Sequence, residues 1–168
     1  MKAYSSYQCI GIVQPRPIVL ALALFLAPGL VDTHIHGFLG HDVMDNDREG
    51  ILAMSEGLVS CGVTSFLPTT LTADATLLTE VAKTVSSCYK QTSGAKIAGI
   101  YFEGPFFTEE HKGAQNPSYF SAPSLAQFNV WQEAAQGLIK KIALAPEHKG
   151  AQEFIQEVTA SGVVVALG

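Results

Sequence analysis

Residues 27–37 read APGLVDTHIHG, an apolar segment that leads into two histidines separated by one residue. Side chains alternate in character from Val31 to His36, and a period of two residues predicts a β-strand. Because successive side chains of a strand point to opposite faces, His34 and His36 share one face. Two imidazoles on one face suit a zinc-type site, which needs one or two further N or O ligands. The alternative is a pair of loop histidines beside a glycine turn, and the rest of the chain decides between them.

The composition indicates a globular protein that does not bind nucleic acid. Of the 168 residues, 48% are hydrophobic and 15% are charged, which is typical of a folded domain. Ten Lys and Arg against fifteen Asp and Glu give a net charge of -5, and no basic cluster occurs. Cys9, Cys61 and Cys88 are odd in number and have no C-x-x-C spacing. We therefore expect free, buried thiols in a reducing compartment.

Residues 1–26 form an atypical N-terminal segment, in which residues 1–17 have no usable periodicity. Ile18–Ala27 is an uninterrupted apolar run, but it is too short to cross a bilayer, which takes about 20 residues. A signal peptide is disfavoured because cleavage would fall beside the histidine strand and no clear cleavage site is present. We expect a cytoplasmic protein with no membrane partner.

Beyond residue 37, apolar strands alternate with amphipathic helices. The predicted strands after the first are 63–70, 96–106, 139–146 and 163–168. Four helices are predicted between the strands: the first from Asp47 to about Ser60, the second opened by Thr72, the third through Leu125–Trp131, and the fourth over Gln152–Ser161. Such alternation predicts an α/β fold with parallel strands covered by helices. A doubly wound open sheet and a barrel of eight strand and helix units both fit. No G-x-G-x-x-G follows the first strand, which weakens a nucleotide-binding version.

The carboxyl ends of the predicted strands collect polar groups, at the edge where parallel α/β folds place their chemistry. Glu103 ends the third strand before a Gly-Pro pair, and burying a carboxylate there is costly without a cation or hydrogen-bond donors. Metal ligation beside the histidines is favoured over capping by backbone amides. We interpret the remaining polar candidates as structural. The hydroxyls of Thr69 and Thr70 are expected to satisfy backbone groups at a strand end. No ligand role is assigned to His41, His111 or His148.

Four motifs carry a family resemblance. APGLVDTHIHG, GVTSFLPTT, YFEGPFF followed by HKGAQNP, and IALAPE resemble the N-acetylglucosamine-6-phosphate deacetylases of the amidohydrolase superfamily, from about Ala27 to Gly168. The resemblance implies a partial TIM-type (β/α) barrel of about five parallel strands, with residues 27–168 as the first half of the barrel. Residues 1–26 do not resemble the family's small β-sandwich, which is missing or atypical here.

The resemblance also implies an activity and a site. Family members hydrolyse N-acetylglucosamine 6-phosphate to glucosamine 6-phosphate and acetate with one or two divalent metal ions, for which zinc, iron and manganese suit the ligands equally. Glu103 matches the principal metal ligand, and His34 and His36 match the pair that supports a further metal. Ala114 and Gln115 match the loop that touches the sugar, with Gln115 standing where many relatives have His.

The same resemblance implies that the catalytic Asp and further His ligands of the family lie beyond Gly168. We therefore expect no catalytic residue within this chain and no activity of the chain alone. The alternative is a non-catalytic remnant or binding module of the same barrel. Intact family members are expected to be homodimers. Half a barrel also leaves two sheet edges unpaired, so we expect poor solubility or self-association.

Overall fold

The computed structural model describes residues 27–110 and 112–168, and within them strands and helices alternate along the chain. The strands are β1 (Leu30–Ile35), β2 (Gly37–Phe38), β3 (His41–Asp42), β4 (Val63–Thr70), β5 (Lys96–Ile97), β6 (Ile100–Glu103), β7 (Ile139–Leu144) and β8 (Val164–Leu167). The helices are α1 (Arg48–Leu58), α2 (Ala75–Cys88), α3 (Leu125–Ala134) and α4 (Ala151–Ala160). Some predictions concern residues outside this described part. They involve residues 1–26, with Cys9 and most of the apolar run, and His111.

One parallel sheet organises the described chain. Its strand order is β1-β4-β6-β7-β8, with the short β5 also paired to β4, while β2 and β3 form a separate antiparallel hairpin. Every neighbour along the main sheet is the next long strand in the chain, and all of these pairs are parallel. A doubly wound sheet would reverse this order at a switch point. The order therefore confirms the predicted partial barrel of about five parallel strands.

The helix-facing side of the sheet carries the main hydrophobic core. Strand residues Phe66, Phe102 and Ile142 pack there with helix residues such as Trp131. The Trp131 ring lies 5.4 Å from Phe102 and 5.7 Å from Phe106, measured between ring centroids. Its indole N–H donates to the carbonyl oxygen of Ala75 at 3.3 Å, which satisfies the one polar atom of the buried side chain.

The opposite side of the sheet holds a smaller apolar cluster. Its buried members are Leu67, Tyr101, Phe107, Ala143 and Ala145. Leu67, Tyr101 and Ala143 come from three neighbouring strands, so this side corresponds to the interior of the partial barrel. The metal candidate Glu103 lies two positions after Tyr101 on β6, which places both side chains on the same side of the sheet.

The starts of α1 and α2 follow local capping chemistry, with one correction to the prediction. Asp47 accepts from the backbone N–H groups of Glu49 and Gly50, as predicted for the start of α1. The second helix does not open at Thr72. It begins at Ala75, and Asp74 is its N-cap, accepting from the N–H groups of residues 76 and 77. The Thr72 N–H donates to Gln115, and residues 72–74 precede the helix.

The single third strand predicted over residues 96–106 is two short strands. Lys96–Ile97 and Ile100–Glu103 are separated by residues 98 and 99, although the Ala98 N–H still donates to the carbonyl oxygen of Phe66. The backbone at Gly99 passes so close to Lys140 that a Cβ there would overlap that side chain. The break is thus a close approach between neighbouring segments that a glycine permits.

The two described cysteines are free, but only one is buried. Cys88 lies at the end of α2 and is fully buried, as expected. Cys61 is exposed, so the prediction of a buried thiol is wrong there. It lies in the 3-10 turn Val59–Cys61, which follows α1 and ends at Gly62 with φ of 80°.

Candidate metal centre

Three side chains that the sequence singled out converge at the carboxyl ends of β1 and β6. The Nε2 atoms of His34 and His36 are 3.1 Å apart. Glu103 Oε2 lies 3.2 Å from His34 Nε2 and 2.9 Å from His36 Nε2. All three donor atoms lie within 4.8 Å of one another. The predicted shared face of the two histidines is confirmed, and the strand order brings Glu103 to them.

The orientation of the His36 ring is fixed by a backbone hydrogen bond. Its Nδ1 lies 3.1 Å from the carbonyl oxygen of Thr69, at the end of β4. A carbonyl oxygen can only accept, so Nδ1 carries the proton and Nε2 of the neutral ring presents a lone pair. Metal-bound histidines are commonly held in this way, with the second ring nitrogen donating to a carbonyl or carboxylate.

Thr69 also fixes the strand that carries the histidines. Its hydroxyl accepts from the Ile35 N–H at 3.0 Å and donates to the Leu67 carbonyl oxygen at 2.9 Å. The prediction that Thr69 satisfies backbone groups at a strand end is confirmed. For Thr70 the same prediction is wrong, because its buried hydroxyl has no hydrogen-bond partner within residues 27–110 and 112–168.

The charges at this centre favour a bound cation. Glu103 ends β6, and its side chain is 21% exposed. The lone pair on His36 Nε2 faces the Glu103 carboxylate at 2.9 Å, and two acceptors at that distance repel unless a proton or a metal ion lies between them. Imidazole nitrogens with one carboxylate suit zinc, iron or manganese. The donor set therefore fits a divalent metal ion.

Tyr101 lies beside the three donors, and sequence reasoning missed it. Its ring centroid is 5.1 Å from that of His34, with the rings nearly perpendicular at 79°. Burial and, secondarily, the negative charge of Glu103 raise the pKa of Tyr101 to about 12. The phenol is therefore neutral at physiological pH. The signal in the sequence is its place two residues before Glu103, on the same face of one strand.

A cleft of about 510 Å³ opens over the three donors. Ala114 and Gln115, which the family resemblance places near the sugar, line this cleft. The Gln115 side-chain oxygen accepts a hydrogen bond from the Thr72 N–H at 3.0 Å, which holds this side chain against the start of the α2 region. Other lining residues, for which the sequence pattern predicted no role, include Leu71, Phe107, Lys112 and Gly113. Lys112 and Gly113 belong to the same KGAQNP motif as Gln115.

The other described histidines lie apart from the three donors. His148 Nε2 lies 3.0 Å from the Phe107 carbonyl oxygen, which it satisfies as a donor. His41 is half-buried in the β2–β3 hairpin and packs beside Gly50 of α1. Both observations support the structural interpretation of these residues. No helix in the described part of the chain is both long and apolar enough to span a membrane.

Comparisons with known proteins agree with the fold and the motifs. The family model described as "Amidohydrolase family" matches residues 25–160. An N-acetylglucosamine-6-phosphate deacetylase from Vibrio furnissii is 39% identical over 144 residues, which is 85% of this chain and 36% of that protein. An N-acetylgalactosamine-6-phosphate deacetylase from Escherichia coli O157:H7 is 34% identical over 162 residues, covering 95% of this chain and 43% of that protein.

Solved structures show the same likeness. The crystal structure of N-acetyl-D-glucosamine-6-phosphate deacetylase from Mycobacterium smegmatis superimposes with a TM-score of 0.76 at 27% identity, over 84% of this chain and 39% of that chain. The corresponding deacetylase from Thermotoga maritima gives a TM-score of 0.72 at 29% identity, over 84% of this chain and 37% of that chain. The chain thus spans about two fifths of the length of the relatives it matches.

Proposed function

Because this chain belongs to the amidohydrolase family, we propose that it forms the metal-binding part of a hydrolase that removes acetate from a phosphorylated N-acetyl amino sugar. The reaction is hydrolysis of N-acetylglucosamine 6-phosphate to glucosamine 6-phosphate and acetate. The observation that carries the proposal is the convergence of His34, His36 and Glu103 within 4.8 Å at one end of a parallel sheet. The similarity to deacetylases of this substrate supports it.

We propose that these three side chains hold a divalent metal ion, with Glu103 as principal ligand. When bound, such an ion would polarise the amide carbonyl and would make the attacking water more acidic. The hydrogen bond from His36 Nδ1 to the Thr69 carbonyl oxygen leaves Nε2 as the nitrogen that faces the donor centre. The carboxylate of Glu103 supplies one negative charge, which offsets part of the charge of the ion.

A separate group must accept the proton of the attacking water and pass it to the leaving amine. Glu103 is the carboxylate that lines the described cleft, and its oxygen is directed at the two imidazoles. We propose that the proton acceptor is contributed from outside these 168 residues, as the family resemblance implies. Ala114 and Gln115 are proposed sugar contacts because they line the cleft over the donors. We also propose a cytoplasmic, homodimeric assembly for the whole enzyme.

Metal binding by the 168-residue chain tests the site directly. Zinc affinity is measured by competition with a chromophoric chelator for the unmodified chain, Glu103→Gln and a control, Glu157→Gln, which changes an exposed carboxylate on α4. We expect Glu103→Gln to weaken zinc binding by roughly tenfold to hundredfold or more, with the control unchanged. Equal affinity of all three proteins would contradict the proposed site.

Activity is tested by complementation. The chain is produced with and without the part of the Vibrio furnissii deacetylase that lies outside the matched region, and acetate release from N-acetylglucosamine 6-phosphate is followed. We expect turnover in the combined sample that depends on Glu103 and on a divalent metal, and none from the chain alone. Turnover by the metal-free chain alone would contradict the proposal. Zinc binding without turnover in the combined sample would favour a non-catalytic binding module instead.

A further inference from the structure

The two histidines of the proposed metal centre are held in different ways. The His36 ring is anchored by its hydrogen bond to the Thr69 carbonyl oxygen. The His34 ring has no comparable bond to a carbonyl or carboxylate behind it in residues 27–110 and 112–168, and its side chain is 46% exposed. Outside the donor cluster, its ring contact is with Tyr101, at 5.1 Å and 79°. An exposed ring without an anchor would sample several rotamers.

The Tyr101 ring is itself held in place by its neighbours. Its side chain is only 4% exposed and packs with Leu67, Phe107 and Ala143 inside the partial barrel. The ammonium of Lys141 lies 4.0 Å from the centroid of the Tyr101 ring. Tyr101 and Lys141 are paired across β6 and β7, so the backbone register holds them together. A cation at this distance from an aromatic ring is in the range of an attractive cation–π interaction.

We propose that Tyr101 is a positioning residue that fixes the His34 ring for metal binding, and that Lys141 holds the Tyr101 ring in place. This inference rests on the proposed metal site. The packed edge-to-face contact restricts rotation of the His34 ring, as the hydrogen bond to Thr69 restricts the His36 ring. Less conformational freedom is then lost when the metal binds, which raises the affinity. The ring, and not the hydroxyl, supplies this contact.

Cobalt(II) binding to the 168-residue chain tests the proposal, because bound Co²⁺ absorbs visible light in a way that reports its ligand set. The variants are Tyr101→Leu, which removes the ring, and Tyr101→Phe, which keeps it. We expect Tyr101→Leu to weaken Co²⁺ binding about tenfold and to change the visible spectrum. Tyr101→Phe is expected to have the Co²⁺ affinity and the visible spectrum of the unmodified chain. Thermal unfolding of each metal-free protein separates this effect from a general loss of stability.

A second pair of variants tests the role of Lys141 and leaves Tyr101 intact. Lys141→Met removes the cation, and Lys140→Met is the matched control, since Lys140 is the exposed neighbour whose ammonium bonds the Gly137 carbonyl oxygen. We expect Lys141→Met to weaken Co²⁺ binding about twofold to fivefold, with the control unchanged. This pair keeps the proposal testable if Tyr101→Leu does not fold.

Distinct outcomes separate this inference from the proposed function. Unchanged Co²⁺ affinity and spectrum in Tyr101→Leu, together with loss of binding in Glu103→Gln, would overturn the positioning role while leaving the metal site in place. Equal loss in Tyr101→Leu and Tyr101→Phe would assign the effect to the hydroxyl and would also overturn the inference. Failure of the unmodified chain to bind Co²⁺ or zinc would overturn both the site and this inference.

Discussion

Thr69 binds the histidine strand at two successive residues, through its carbonyl oxygen to His36 and through its hydroxyl to Ile35. The His36 Nδ1 donates to the carbonyl at 3.1 Å, and the Ile35 N–H donates to the hydroxyl at 3.0 Å. One buried residue of β4 therefore sets both the position of the strand end and the direction of a proposed metal ligand. The side chain of Thr69 can be changed without removing its carbonyl, so the two effects can be separated.

Replacing Thr69 by valine keeps the shape of the side chain and removes the hydroxyl. The hydrogen bonds that the Ile35 N–H and the Leu67 carbonyl oxygen make to this hydroxyl are then lost. We expect the free energy of unfolding to fall by about 1–3 kcal/mol. The measurement is urea unfolding followed by the fluorescence of Trp131, the only tryptophan of the chain. Thr69→Ser keeps the hydroxyl, and a loss in the serine variant as large as in the valine variant would contradict this explanation.

Self-association is expected through the two outer strands of the sheet. Within residues 27–110 and 112–168, β1 pairs with β4 alone and β8 with β7 alone. Large apolar side chains are exposed on both strands, with Val31 62% and Val164 62% accessible. Exposed, apolar edge strands are templates for pairing with another chain. We expect concentration-dependent association of the 168-residue chain, measured by sedimentation velocity.

Introducing a lysine at the β8 edge reduces this association. Val164→Lys places a charge on the strand edge, which disfavours pairing. The matched control is Val130→Lys on α3, since Val130 is similarly exposed at 51% but lies on a helix. We expect a shift toward monomer in Val164→Lys only. A monomeric unmodified chain, or an equal shift in both variants, would contradict an edge-strand mechanism.

The thiols of Cys61 and Cys88 are expected to differ strongly in reactivity. Burial raises the pKa of the Cys88 thiol, whose side chain is fully buried, whereas Cys61 is exposed. The thiolate is the reactive form, so both access and ionisation disfavour Cys88. In a Cys9→Ser background, the native protein should consume one equivalent of Ellman's reagent quickly, and Cys61→Ser should abolish this phase. A fast phase that persists in Cys61→Ser and disappears in Cys88→Ser would reverse the assignment.

Tyr101 is expected to make the fold less stable as the pH rises through the alkaline range. Its pKa in the folded protein is raised from 10.0 to about 12. Between these values the unfolded state releases the phenolic proton while the folded state keeps it, so the free energy of unfolding falls as pH rises. Below pH 10 this contribution is fully present. We expect urea midpoints of Tyr101→Phe to decline less over this window than those of the unmodified chain, and parallel declines would contradict the raised pKa.

The alternation of strands and helices predicts a parallel α/β fold, the family resemblance selects the partial barrel, and local patterns single out His34, His36 and Glu103. Alternation along APGLVDTHIHG placed His34 and His36 on one face, and the rule that parallel strands end at one edge brought Glu103 to them. Capping by Asp47 is a contact within four residues, and it was predicted correctly. Features that depend on a few neighbouring residues are therefore encoded in the sequence pattern itself.

The errors come from contacts between segments that are distant in the sequence. Asp74, rather than Thr72, caps α2, and the Thr72 N–H bonds to Gln115, 43 residues away. The third strand is broken at Gly99 by the close approach of Lys140. The role proposed for Tyr101 likewise requires β1 and β7 to lie near it in space. No periodicity in the sequence encodes such long-range contacts.

The proposed metal ligands lie in or directly after β1 and β6, which are made before β7 and β8. A chain leaves the ribosome from its N-terminus at about 5–20 residues per second, so roughly 2–7 seconds separate the synthesis of Glu103 from that of Ile139. His34, His36 and Glu103 are therefore made before β7 and β8. Metal present during translation can therefore meet all three of these side chains on the nascent chain before the strands that follow have been added.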